Sequence, residues 1–531
     1  MAGPAPAPTL SARRTRLVLP VVGLSLMAVV SAVAGLNVAL PSMARETGAS
    51  QTELTWIVDA YTVVFAGLLL LAGALGDRYG RRRLLLGGLA IFGAGAALGL
   101  VTTNPTELIA VRMVMGLGAA AIMPTTLSVI TTSFPEAERP RAIGVWVGIA
   151  GGGAVLGLFV TGLLLEWFPW TSFFGLNVAL AALAFVGVAA VVPESSDPTH
   201  QLDVVGGALS LVTVAAIVFG IIEGPERGWA DPVTVAALAL GVGGLVAFVL
   251  WELRQAAPLL DPRLFRLRGF SAGSLTILVQ FLAAFGFFFI TLQYLQYVTG
   301  RSALEAGAAL LPLPFVLLPT ARKAPVIAQR VGLRRLGPLG LLLMAAGFLV
   351  LSRLAVDSPY WYFVIGLVLF GLGMGLAGTP ATTAITASLP MAKQGVASAV
   401  NDTSRELGSA IGIAVLGSVL NQAYRDGMLP HVVGLPAQIA ERVLASIAFT
   451  AAPQVQQAGA MGQRLVAAAR EAFVSGVGSA VFVAAAVLVV AAVAVAVLAP
   501  RPGAVGEGST VAAEDAPTAP APAVPATPTA G

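Results

Sequence analysis

The 531-residue chain has no cysteine and only two histidines, His200 and His431. The first absence excludes disulfides, thiolate metal sites and a cysteine nucleophile, and the second argues against a histidine-rich metal site. Charge is scarce as well. Asp, Glu, Lys and Arg make up 11% of residues, against about a quarter in a soluble domain, so the chain cannot cover itself with solvated groups. The net charge of +4 is small and no concentrated basic face is present, so no nucleic-acid partner is expected. There is no phosphate-binding loop, nucleophile elbow or metal-ligand cluster, so the chain is not expected to be an enzyme.

What the chain has in excess is apolar sequence, 57% of residues. Backbone in a bilayer must satisfy its own hydrogen bonds, which leaves helix bundles or closed barrels. The apolar runs are about 20 residues long and do not alternate with polar residues, which selects helices. Cutting at charges, prolines and turn residues gives fourteen spans: 17–42, 55–76, 84–103, 107–133, 142–166, 172–192, 204–223, 233–253, 270–298, 305–321, 337–352, 360–389, 396–421 and 474–499. Connections are short except for 421–474, where charges and a roughly amphipathic segment at 437–447 predict a surface-lying stretch. Residues 1–16 read as a disordered cytoplasmic N-terminus ending in Arg13, Arg14 and Arg16, and 501–531 as a disordered Pro/Ala/Thr-rich cytoplasmic tail. The run from Leu17 to Pro41 is longer than a signal h-region and reads as an uncleaved first helix.

Lys and Arg fix the orientation. With the N-terminus inside, 20 of the 30 fall in inside segments, 8 outside and 2 within spans (Arg112 and Arg405), which implies an inner-membrane protein with both termini cytoplasmic. A weak internal echo relates the halves. The loop Asp77 to Arg83 follows the second span, and Arg322 to Arg335 follows the tenth; both are basic and interrupted by glycine. Duplicated halves with such loops are a transporter feature. The domains expected are then a six-helix bundle (17–203), an inserted helix pair (204–253) and a second six-helix bundle (254–500) with an extracellular loop (422–473).

Charges inside lipid-spanning segments cost a few kcal/mol each, so they are functional candidates. Asp59 lies about one turn inside the outer end of the second span, able to take a proton or meet a cationic substrate; an interfacial carboxylate satisfied by water is the alternative. Arg112, in the fourth span, is a fixed charge that can tune a nearby carboxylate, or can snorkel to the interface. Asp402, Arg405 and Glu406 are spaced to share one network on a helix side, for coupling or for structure alone.

The stretch Gly73 to Arg82 is the most specific motif. Asp77 ends a helix and is placed to face a helix N-terminus of the other half, where the macrodipole favours an anion. Lipid-anchoring arginines alone would need neither the Asp nor the glycine spacing, so Gly73, Asp77, Arg78, Gly80, Arg81 and Arg82 read as a gate. The ninth span carries Gln280, Phe281, Phe285, Phe287, Phe288, Phe289, Gln293, Tyr294, Gln296 and Tyr297, a stripe that faces either lipid or a cavity for a lipophilic cation. The candidate cavity residues are Trp56, Tyr61, Gln280, Phe285, Gln293 and Tyr294. Glycine-rich stretches such as Gly371 to Gly375 predict close helix approach.

Over about Leu17 to Pro500 the chain resembles the major facilitator superfamily, in its fourteen-helix drug:proton antiporter branch. The Gly73–Arg82 loop looks like the superfamily signature between the second and third helices, and Arg112 matches the buried arginine of the fourth-helix motif. Asn37-Val38-Ala39-Leu40-Pro41 resembles the end of the first-helix motif. Trp56 to Tyr61 is similar to pumps that export quaternary ammonium compounds, in which the acid matching Asp59 handles protons or cations. Gly395 to Gly417 looks like the branch's thirteenth helix.

Two departures stand out. The fifth-helix motif, here Gly157-Leu158-Phe159-Val160-Thr161-Gly162, lacks its proline, which puts gating by that helix in doubt. The first-helix motif lacks its acid, which shifts the coupling burden to Asp59, Asp402 and Glu406.

The resemblance implies an all-α bundle of two pseudo-symmetric six-helix halves plus two inserted helices. It also implies proton-coupled export of amphipathic or cationic drugs, with no cofactor beyond the proton gradient and no metal. The partners are a small-molecule substrate and the lipid bilayer, with the protein monomeric. The rival readings are a dedicated exporter of one endogenous metabolite, or a membrane sensor or scaffold that does not transport.

Overall fold

A computed structural model describes residues 12–135, 139–196, 202–256, 258–389, 394–451, 455 and 457–500. The tail 501–531 and residues 1–11 lie outside them. The elements are α1 (Ala12–Thr47), α2 (Gln51–Tyr79), α3 (Arg81–Gly99), α4 (Pro105–Ser133), α5 (Arg139–Leu164), α6 (Ser172–Val191), α7 (Val204–Arg227) and α8 (Pro232–Glu252). They continue as α9 (Arg268–Gln293), which runs into a π-turn at Tyr294–Val298, then α10 (Ala303–Ala308), α11 (Pro312–Val331), α12 (Leu333–Leu351), α13 (Tyr360–Ala387), α14 (Gln394–Met428), α15 (Ala437–Ala445) and α16 (Gly459–Leu498). Among the described residues thirteen helices are long and apolar enough to cross a membrane, α10 and α11 counting as one. With the 26-residue α5 added to these, the order is that of the fourteen expected spans.

Local chemistry sets the boundaries. Ser50 and Glu53 form a capping box at the start of α2, and Ser302 and Glu305 form another at α10, each satisfying orphan N–H groups reciprocally. Asn104 followed by Pro105, and Asp231 followed by Pro232, open α4 and α8. Gly80 (φ +120°) and Gly332 (φ +78°) each stand alone between two helices, α2 and α3 in one case and α11 and α12 in the other. These are the two loops that echo each other in the sequence. A left-handed conformation at the break is the reason each needs glycine.

The two halves repeat one packing scheme. In the first half α1 packs on α5 and α6, α2 on α4, and α3 on α4 and α6. In the second half α9 packs on α14 and α16, α11 on α13, and α12 on α13 and α16. The halves meet through two equivalent pairings, α2 with α14 and α5 with α10. The inserted pair packs through α7 onto both α2 and α14, with α8 outside it. Leu240, Val242 and Val246 on α8, and Val490, Val493 and Val497 on α16, are exposed; such apolar faces are covered by lipid.

Three segments differ from the sequence reading. Residues 12–16, expected to be disordered, begin α1. The expected loop 422–473 is partly helical: α14 continues to Met428 and α16 starts at Gly459. A helix does not end where the bilayer does, because its hydrogen bonds survive in water and only its side chains change character. The amphipathic segment forms α15 and docks back onto the bundle, its Val443 fully buried and the Val443 carbonyl accepting from the Tyr424 hydroxyl at 2.9 Å.

Candidate functional site

The site is organised by α2, whose faces meet different partners. Ile57 and Tyr61, one turn apart, lie toward α4. The Ile57 carbonyl accepts from Arg112 Nε at 3.0 Å, and the Arg112 guanidinium sits over the Tyr61 ring at 4.2 Å. Tyr61 in turn donates its hydroxyl hydrogen to the Val29 carbonyl of α1 at 3.2 Å. Asp59 is midway between Ile57 and Tyr61 in sequence, so it projects from the opposite side of the helix. Asp59 and Arg112 are both 0% exposed. They form no ion pair, and neither oxygen of Asp59 nor either terminal nitrogen of Arg112 has a hydrogen-bond partner.

The face that carries Asp59 meets α7 and α14. Thr52 accepts from Asn421 of α14 at 3.0 Å, and Thr55 lies against Gly417. Trp56 donates its indole hydrogen to Glu223 of α7 at 2.8 Å and packs on Phe219. Val63, one turn below Asp59, clusters with Val218 and Ile222 of α7 and with Ala410 and Ala414 of α14. The antiparallel register set by Thr52–Asn421 and Thr55–Gly417 places Asp59 level with Ile413 and Ala414. It puts Glu406 about 10 Å further along the same seam, at 1.5 Å per residue.

On α14, Arg405 approaches Asp402 at 4.0 Å and lies over the Phe281 ring of α9 at 4.6 Å. Asn401 donates to Asp402 at 3.5 Å and accepts from Thr382 of α13 at 3.1 Å. Of the three charges expected to share a network, Asp402 and Arg405 make a loose pair, and Glu406 interacts electrostatically with both without a direct ion pair among the described residues.

The space between the halves is lined by Asn37 of α1, Leu158 of α5, Phe285 and Phe288 of α9, and Leu310 and Leu313 near α11, among others. It amounts to about 680 Å³ including the part open to the outside. Among the described residues, Asn37 is the one polar side chain in its lining; its amide donates to the Val33 carbonyl at 2.9 Å, and its oxygen has no partner.

Of the six residues proposed for a cavity, Phe285 alone lines this one. Gln280 bonds the Met374 carbonyl of α13 at 3.2 Å, Gln293 bonds the Phe289 carbonyl of its own helix, and Tyr294 packs on Phe363. Tyr61 and Trp56 hold α1 and α7 as described above.

The fifth-helix motif builds one wall of the cavity. Gly157 lies against Ser31, Thr161 against Gly35, and Gly162 against Leu304 of α10. Leu158, standing where the motif has proline, meets Gly307.

At the other end of α2, Asp77 pairs with Arg81 at 2.7 Å, and Gly73 packs on Pro124 of α4. The Glu194 carboxylate accepts from the backbone N–H groups of Arg82 (3.1 Å) and Arg83 (3.2 Å), an anion at the N-terminus of α3. Arg82 donates to the Ala189 carbonyl at 2.7 Å, and Arg78 lies over Tyr79. A side chain on Gly80 would meet Glu194 Oε1 at 2.6 Å. These contacts all fall within the first half. Among the described residues, the contacts that join the halves gather instead at the opposite end: Thr52–Asn421, Gly162–Leu304, and Gln296 donating to the Val38 carbonyl at 3.1 Å.

Sequence reasoning passed over Glu194 and Glu223. Each had a signal: Glu194 follows the sixth span directly, and Glu223 precedes Arg227 by four residues.

Two matched six-helix halves around a central cavity, with buried charge on the seam between them, are the architecture of a membrane transporter. Residues 22–413 match the Major Facilitator Superfamily, and the chain belongs to that family and is a multi-pass inner-membrane protein. It is 34% identical over 498 residues to the multidrug efflux pump LfrA of Mycolicibacterium smegmatis, covering 92% of this chain and 97% of that one. It is 32% identical over 448 residues to the methyl viologen resistance protein SmvA of Salmonella typhimurium, covering 83% and 89%. In fold it is similar to an inward-facing, unoccupied bacterial homologue of the human lysosomal transporter Spinster, with a TM-score of 0.64, 17% identity and coverage of 93% and 100%.

Proposed function

We propose that the protein exports amphipathic, cationic drugs across the cytoplasmic membrane by alternating access, driven by the proton gradient and without a cofactor or catalytic activity. The observation that carries this is Asp59: fully buried, unpartnered, and placed on the α2–α14 seam between the halves. An isolated buried charge costs several kcal/mol, so this carboxyl takes either a proton or a cationic ligand. Exclusive occupancy by one or the other is the chemical basis of antiport. Glu406, further along the seam, is the second exchange point, and Asp402 and Arg405 hold its surroundings in place. Two relatives support the substrate class: one is named a multidrug efflux pump, and the other is named for resistance to methyl viologen, an organic dication.

With the basic Asp77 loop and both termini cytoplasmic, the end at which the halves meet faces outward, and the cavity lies just beneath it. The units that move are 17–203 and 254–500, with 204–253 riding on the seam, within a monomer. The loop residues Asp77, Arg78, Arg81 and Arg82 latch the cytoplasmic end in the opposite conformation.

The test is efflux of a fluorescent lipophilic cation from cells, with and without a protonophore, for the native chain and Asp59→Asn. Protonophore-sensitive efflux that Asp59→Asn abolishes is expected. Undiminished gradient-dependent efflux by Asp59→Asn would remove Asp59 from coupling.

A second reading draws on the cavity. Its lining is apolar apart from Asn37, which suits one neutral lipophilic metabolite as well as a drug. Broad resistance to unrelated cations would exclude that dedicated exporter.

A further inference from the structure

The base of the inserted pair, away from the seam, holds two acids in contact with the same residue. Asp203 caps α7, its Oδ1 accepting from Gly206 N–H at 2.7 Å. Its two oxygens also accept from the Trp251 indole at 3.0 and 2.9 Å. Glu252, the last residue of α8, is 0% exposed. Its Oε2 accepts from Leu260 N–H at 3.3 Å, and its Oε1 has no partner.

A carbon added to Gly206 would lie 2.5 Å from Glu252 Oε1 and 2.6 Å from Asp203 Oδ2. The two oxygens are therefore no more than about 5 Å apart. Asp261, in the turn that follows α8, is the other charge bearing on Glu252, and it is also acidic. Arg254, Arg263 and Arg266 are exposed, Arg263 is engaged with the Leu253 carbonyl, and among the described residues no ion pair reaches either acid. On the α2 side the neighbour is Leu71, packed against Gly207.

Two like charges this close, one of them fully buried and with no base in contact among the described residues, do not both stay ionised. We propose that Asp203 and Glu252 form a proton-binding site that holds one proton between them, carried on Glu252, at the base of the inserted helix pair. The proton falls to Glu252 because its Oε1 has no partner, whereas the Asp203 oxygens accept from the α7 N-terminus and the Trp251 indole. Loss of the proton sets the start of α7 against the end of α8. Gly206 and Gly207 form the turn that rests on Leu71 of α2, so the protonation state of this pair bears on the helix that carries Asp59 and Asp77. The site needs no residue of the export machinery and stands or falls separately from it.

The test is a pH titration of tryptophan emission from the purified full-length protein in detergent, because Trp251 is bonded to one acid and adjacent in sequence to the other. A pH-dependent change is expected that Trp251→Phe and Glu252→Gln both abolish and Asp59→Asn retains. Glu252→Gln is isosteric and removes only the ionisable group. Asp203→Asn keeps the helix cap and is expected to shift or remove the same transition. A transition that persists in Glu252→Gln would overturn the proposal. So would its loss in His200→Ala, which would assign it to the neighbouring histidine. As a second readout, the melting temperature of the native protein is expected to fall relative to that of Glu252→Gln as pH rises; parallel curves would also overturn the proposal.

Discussion

Arg112 gives its Nε hydrogen to the carbonyl of Ile57, two residues before Asp59, and not to the Asp59 carboxylate. The two fully buried opposite charges of the first half are thus held on opposite sides of α2. Arg112 acts on the backbone and on the Tyr61 ring, fixing α2 against α4. Asp59 is left free to answer to the seam.

This separation has a measurable consequence. Arg112→Ala removes the second hydrogen bond to the Ile57 carbonyl, which still accepts within α2, takes away the group stacked on Tyr61 and leaves a cavity, a loss on the order of 2–4 kcal/mol. Asp59→Asn removes a buried charge that had no partner, and should leave the melting temperature unchanged or raise it. Because the residues are not partnered, their effects should add in the double variant to within about 0.5 kcal/mol. Strong non-additivity in thermal or denaturant unfolding would mean that the charges communicate.

Gly80 is constrained twice, by a φ of +120° and by Glu194 Oε1. Gly80→Ala is expected to lower stability by about 1–3 kcal/mol and to reduce efflux. Glu194→Gln keeps an acceptor at the α3 N-terminus and should retain most of both. Comparing melting temperatures of the two variants checks the assignment. An equal loss in both would mean that the carboxylate, not the backbone angle, governs the loop.

Leu158 closes the cavity against Gly307. Leu158→Ala should widen the space between α5 and α10 and extend resistance toward bulkier compounds, measured as inhibitory concentrations across a size-graded panel. A uniform fall in resistance with no change in size preference would place Leu158 outside substrate contact.

Among the described residues, Asn37 offers the cavity its one polar side chain. Asn37→Leu is expected to raise the KM for substrates that carry a hydrogen-bond donor several-fold, while substrates lacking a donor are affected little. Equal effects on both groups would assign the residue to helix packing.

The spans were legible because about 20 apolar residues have few other fates in a chain with so little charge. Each of the fourteen overlaps a helix, although the ends fell short wherever a helix carries its charges beyond the bilayer, as α14 does to Met428. The burial of Asp59 and Arg112 was legible too, from the rarity of charge in such segments. Their separation, Arg112 on Ile57 and Asp59 unpaired, was not. The angular offset between Ile57 and Asp59 is fixed by sequence, but which side of α2 faces α4 is decided only by packing.

The ninth span failed to resolve for the same reason. Its aromatics cover the whole circumference, so sequence could not say that Phe285 and Phe288 face the cavity while Phe287 packs on Phe348 and Phe370 in the second half's interior. The glutamines there looked free for substrate, and Gln280 and Gln293 are engaged with backbone carbonyls. Glu252 escaped notice because a charge at the edge of a span reads as an ordinary boundary marker until its surroundings are known.

The single glycines at the α2–α3 and α11–α12 breaks leave these helix pairs no spare length. A longer loop would absorb displacement, letting one helix slide while its neighbour stayed in place. Here a shift of α2 along its axis is handed to α3 within one residue, and α11 and α12 are coupled in the same way. Each half therefore contains a cranked rod without slack, and movement at the seam is transmitted whole to the helices farthest from it.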